Sequence, residues 1–70
     1  MRHQKVTSEH IQSIGYEPGD RTLEVKFQNG AVYQYHGVPP QTHQQFLACP
    51  SHGQFLHHEI KPNFDAERIR

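Results

Sequence analysis

The stretch Thr22-Leu23-Glu24-Val25-Lys26-Phe27-Gln28-Asn29-Gly30-Ala31-Val32-Tyr33-Gln34-Tyr35 decides how this chain folds. From residue 21 to residue 28 the side chains alternate strictly. Leu23, Val25 and Phe27 take one face, and Thr22, Glu24, Lys26 and Gln28 the other. A period of two is the mark of a half-buried strand. Asn29-Gly30 then suits the positive backbone dihedrals of a hairpin turn, and residues 31–36 return as a second strand. Two registers are open to this hairpin. A loop of Asn29-Gly30 alone sets Lys26 opposite Tyr33 and Glu24 opposite Tyr35, which turns both rings away from Leu23, Val25 and Phe27. A loop of Gln28-Asn29-Gly30, with Gly30 as a bulge, sets Val25 opposite Tyr33 and Leu23 opposite Tyr35, and turns Gln34 and His36 outward. The second register is the expected one, because it separates apolar from polar side chains.

Upstream, Ile11, Ile14 and Tyr16 mark a half-apolar strand that ends at the turn signal Glu17-Pro18-Gly19-Asp20. A four-residue loop there would place Ile14 opposite Leu23 on a common buried face. Downstream, Gly37-Val38-Pro39 leaves the sheet, and Pro40 fits the first turn of a helix, where its missing N–H costs nothing. Phe46 and Leu47 form the core face of that helix, which Pro50 terminates. Ser51 with Gln54 is a capping-box pattern, opening a second helix through Phe55, Leu56 and Ile60 that stops at Pro62. The expected fold is therefore α+β, a three-stranded antiparallel meander packed against two short C-terminal helices. All of residues 1–70 make one domain, in which the polar arm 1–9 and the tail 63–70 are candidates for flexible ends.

Seventy residues lie near the lower end of what folds alone on a hydrophobic core, so a second domain is excluded. Seven Lys/Arg balance seven Asp/Glu, so the chain lacks the basic excess of most nucleic-acid binders. Seven histidines hold positive charge in reserve just below neutral pH. Cys49 is the only cysteine, which excludes an internal disulfide. With no apolar run long enough for a signal peptide or a membrane span, a reducing cytoplasm is the expected location.

Taken in order, Ser13-Ile14-Gly15-Tyr16-Glu17-Pro18, Leu23-x-Val25-x-Phe27-x-Asn29-Gly30, Tyr33-x-Tyr35-x-x-Val38-Pro39 and Ser51-x-Gly53-x-Phe55 resemble the KTSC domain. This family is named for an extension at the C-terminus of some lysyl-tRNA synthetases and also occurs as small free-standing bacterial and phage proteins. The resemblance spans about residues 5 to 62, with the tyrosine pair followed by Val-Pro as its hallmark. It departs from the usual pattern at His57-His58 and at Phe64. The family has no established activity, so the resemblance implies a fold more firmly than a function. Attachment to a tRNA enzyme makes RNA, single-stranded or tRNA-like, the implied ligand.

The residues that could serve such a ligand are Lys5, Arg21, Lys26, Lys61, Arg68 and Arg70, as a phosphate-tracking patch, and Tyr33 and Tyr35, as stacking platforms. An exposed aromatic contributes on the order of 1–3 kcal/mol per stacked base. On the bulged register, however, both tyrosines are better used as core, with hydroxyls at the rim. Cys49, His52, His57 and His58 suggest zinc, but His57 and His58 are adjacent and diverge by about 100° on a helix. No metal or other cofactor is expected. Cys49 at a helix C-terminus meets the wrong end of the dipole to become a thiolate, and no paired carboxylates, phosphate loop or nucleophile elbow occur, so no enzyme activity is expected. The reading is a small non-enzymatic binding module for RNA. The alternative is a protein-interaction adaptor that docks through a sheet edge or helix surface. Nothing points to DNA specificity or to a membrane.

Overall fold

Gly30, at φ 92°, turns the chain between the two central strands. In the computed structural model, which describes all 70 residues, β3 (Thr22–Phe27) pairs antiparallel with β4 (Val32–Tyr35). Leu23 faces Tyr35 and Val25 faces Tyr33, the bulged register. The loop closes as the Phe27 N–H donates to the Ala31 carbonyl at 2.8 Å and the Gly30 N–H to the Phe27 carbonyl at 3.0 Å.

β2 (Ile11–Glu17) lies on the other side of β3, two positions out of the expected register, with Ile14 opposite Val25 and Tyr16 opposite Leu23. The cause is the turn. Glu17, expected in the turn, pairs with Thr22, so the loop occupies residues 18–21, and Arg21 takes a left-handed conformation at φ 53° to close it. A slip of two keeps every side chain on its face, so the shared core survives. Within β2 the register shifts between Ile11 and Ser13. Ile11 and Ile14 are three apart and would point to opposite faces of a regular strand. The bulge at Gln12 brings both inward, to 0% and 1% exposure.

The sheet has five strands, in the order β1-β2-β3-β4-β5, not the three expected. β1 (His3–Lys5) pairs with β2, and β5 (Ala66–Arg68) pairs with β4. The ends read as flexible thus form both edges of the sheet. Each edge strand is three residues long, mostly polar and held through its backbone, which needs no apolar pattern.

α1 (Pro40–Ala48) begins at the proline and ends before Cys49-Pro50. Half of the capping box forms at α2 (His52–Phe55), where the Gln54 N–H donates to Ser51 Oγ at 3.4 Å. The second helix does not stay α-helical to its end. Leu56–Ile60 form a wider π-helical turn, closed by the Lys61 N–H donating to the Leu56 carbonyl five residues back. Phe46, Leu56 and Ile60 pack on Ile11, Ile14, Leu23, Val25 and Tyr35, with Val38 plugged between them. Burial of each large side chain contributes roughly 1.5–3 kcal/mol. Val38 is pinned from both ends: its N–H donates to the Arg21 carbonyl at 2.9 Å, and its carbonyl accepts from the Tyr16 hydroxyl. The helices cover one face of the sheet and leave the other open.

Candidate functional site

Parity along the strands divides the eight candidate residues, so they do not form one patch. Tyr33, Tyr35 and Arg68 belong to the helix-covered face, where Arg68 is the register partner of Tyr33. Lys61 follows the π-helical turn and reaches the same end of that face. These four, with Phe27, Asn29 and Ala31, line a groove of about 260 Å³. Lys5 and Lys26 lie on the open face in one row, with Ser13 between them. Arg70 joins that row through Val32, whose N–H donates to the Arg70 carbonyl at 3.1 Å. Arg21 stands apart in the β2–β3 turn.

Within the groove, Tyr33 is half-buried and meets Phe27 edge to face, with ring centroids 5.6 Å apart. The Arg68 guanidinium lies over the Tyr33 ring at 6.0 Å from its centroid, and Arg68 Nε donates to the Arg70 carbonyl at 2.9 Å. The pairing is a cation–π contact at a partly exposed site. Tyr35 is only 2% exposed, so it is a core residue and not a platform. Burial, reinforced by Tyr33, pushes its phenol above the ordinary range, and its hydroxyl stays protonated. The groove is thus one aromatic platform between two cations, with no carboxylate in its lining.

The open face carries a network that the sequence reading missed. His3 Nδ1 and Ser13 Oγ are hydrogen-bonded at 2.7 Å, His3 Nε2 meets the Glu24 carboxylate, and Gln34 Nε2 donates to the other Glu24 oxygen at 2.9 Å. Burial alone would raise the Glu24 carboxyl. The Gln34 and His3 hydrogen bonds and the His3 charge outweigh it and hold the group below its ordinary value. The imidazole lies across Gly15, where an added Cβ would come within 2.6 Å of His3 Cδ2. The one signal for this was Ser13-x-Gly15, two small residues on the outward row beside Glu24, which leaves space for a ring.

The residues weighed for zinc and thiol chemistry are occupied locally. Cys49 Sγ donates to the Phe46 carbonyl at 3.0 Å, and burial raises its thiol against smaller opposing backbone hydrogen bonds. His52 Nε2 reaches the Leu47 carbonyl at 3.3 Å. His57 and His58, expected to diverge, sit edge to face with centroids 5.0 Å apart on the π-helical turn.

A five-stranded antiparallel sheet with two short helices on one face, a Val-Pro plug and a tyrosine pair defines a small α+β domain class. The KTSC domain pattern matches residues 7–64, and the chain belongs to that family. The crystal structure of a KTSC domain protein from Yersinia pestis superimposes with a TM-score of 0.91 at 43% identity, covering 99% of this chain and 97% of that one. A protein of Tsukamurella paurometabola is 40% identical over 63 residues, 90% of this chain and 94% of its own length. A lysine–tRNA ligase of a Nostoc species is 36% identical over 59 residues, 84% of this chain but 10% of the ligase.

Proposed function

We propose that this domain is a non-enzymatic module of the cytoplasm that binds single-stranded or tRNA-like RNA through the Tyr33 groove. The observation that carries the reading is the half-buried Tyr33 ring flanked by Arg68 and Lys61 in a groove without carboxylates. A base stacks on the tyrosine while the two cations take the adjoining phosphates. Similarity to one-tenth of a lysine–tRNA ligase supports a tRNA-related setting. No helix is long and apolar enough to cross a membrane. Lys5, Lys26 and Arg70, across the sheet, then serve as secondary contacts for a longer strand, and Arg21 is peripheral.

Fluorescence anisotropy with a labelled single-stranded RNA dodecamer tests the reading. Affinity falls with salt at a slope near −0.7 per phosphate neutralised, so two cations give about −1.4. Tyr33→Leu, which keeps apolar packing, weakens binding by roughly tenfold, and Arg68→Gln flattens the slope. Binding unchanged in both variants, or none at low salt, removes the proposal. Pull-down from lysate with and without ribonuclease then separates RNA from a protein partner.

A further inference from the structure

The opposite edge of the sheet holds a second feature, and it does not depend on the RNA reading. The Val6 N–H donates to the Gln12 carbonyl at 3.3 Å. Hydrogen-bonded and non-hydrogen-bonded pairs alternate along an antiparallel ladder. In the β1–β2 register, Gln4 opposite Ile14 is then a bonded pair, while His3 opposite Gly15 and Lys5 opposite Ser13 are not. The N–H and C=O groups of His3 and Lys5 therefore point away from the sheet, along an edge that no other strand covers.

Beside this edge, on the helix-covered side, is a hollow of about 460 Å³ lined by Arg2, His3, Gln4, Ile14, Tyr16, Pro18 and His43. Its wall is the His43 ring of α1, stacked on Tyr16 with centroids 4.4 Å apart and planes 12° from parallel. Burial lowers the His43 imidazole below its ordinary value, so the wall is neutral at pH 7. A strand added outside β1 would carry alternate side chains to the two faces. The one opposite Gln4 would point to the helix side, into the hollow, and those opposite His3 and Lys5 to the open face.

Charge selects the occupant. Residues 1–8 contain Arg2 and Lys5 and no acid, so two copies meeting edge to edge would gather four cations without a carboxylate. Lysine on a short edge strand resists self-pairing. An acidic partner meets no such barrier. We propose that the β1 edge and this hollow form a docking site for an extended segment of a partner protein. The segment adds as a sixth strand, with acidic side chains on the open face and one apolar side chain in the hollow.

The probe is a blocked seven-residue peptide alternating glutamate with valine around a central phenylalanine, titrated into the isotope-labelled full chain and followed by NMR. Saturable shifts are expected at the His3 and Lys5 amides and at the Tyr16 and His43 rings. Lys5→Pro deletes an outward N–H without touching the ladder to β2 and lowers affinity by about tenfold. Lys5→Glu, which leaves the backbone untouched, also weakens binding and supports the charge argument if Lys5→Pro fails to fold. No shifts at millimolar peptide, equal shifts with a control peptide interrupted by proline, or shifts confined to the Tyr33 groove would overturn the proposal. Self-association of the free chain through β1, seen by sedimentation, would overturn it in favour of a second copy.

Discussion

Gly15 is small because a ring lies on it. Alanine there would push the His3 imidazole off Ser13 and Glu24, at a cost of about 1 kcal/mol for the lost hydrogen bonds. In a His3→Ala background the new Cβ meets only the flexible end of Met1, whose Sδ would lie 2.9 Å away, and the substitution is expected to be nearly neutral. A double-mutant cycle by urea denaturation checks this. Glu24 adds a pH dependence. Its carboxyl titrates lower in the folded chain than in the unfolded one, so the unfolded state takes up the proton first as pH falls. The stabilisation is complete above the ordinary value of 4.5 and drains away as pH drops through the lower folded value. Glu24→Gln is expected to flatten that acid limb in stability measured against pH, leaving the alkaline side unchanged. Beyond the small pair Ser13 and Gly15, which leaves room for a ring, this network was not legible beforehand, because it joins residue 3 to residue 24 across three strands.

At the level of elements, the legible parts were those whose side chains encode them. The period of two across residues 22–27, with Gly30 free to take a positive φ, was sufficient for the central hairpin and its bulge. Ser51 and Pro40 marked the helix starts for similarly local reasons. The first turn was misread by its loop boundary, since Arg21 enters the left-handed region that composition alone assigns to glycine. Arg21→Gly is expected to relieve that strain and raise stability by about 0.5–1 kcal/mol, read as a higher melting temperature. β1 and β5 escaped notice because short, mostly polar edge strands satisfy backbone groups and little else. The candidate groove was half legible for the same reason. Tyr33 was identified, but its partner Arg68 reaches it only through β5.

For the molecule as a whole, the core is one layer of side chains between the sheet and two short helices, with Phe46 at 0% exposure in its midst. Phe46→Ala is expected to remove about 3–5 kcal/mol. That is a large share of the roughly 5–15 kcal/mol holding a small domain. Loss of a cooperative thermal transition, followed by circular dichroism, is the anticipated result. A core this thin also explains why Tyr35 is spent on packing and why only Tyr33, at the rim, is left to offer a ring to a ligand.

By itself the sequence determined the central hairpin, the helix starts and the face its two strands turn inward, since these follow from alternation, capping and turn chemistry within a few residues. Tertiary structure alone decided the two edge strands, the His3–Ser13–Glu24–Gln34 network and the splitting of the cations between two faces. Those depend on which distant backbone groups find partners, and hydrogen bonds between strands leave no periodic trace in the residues that make them.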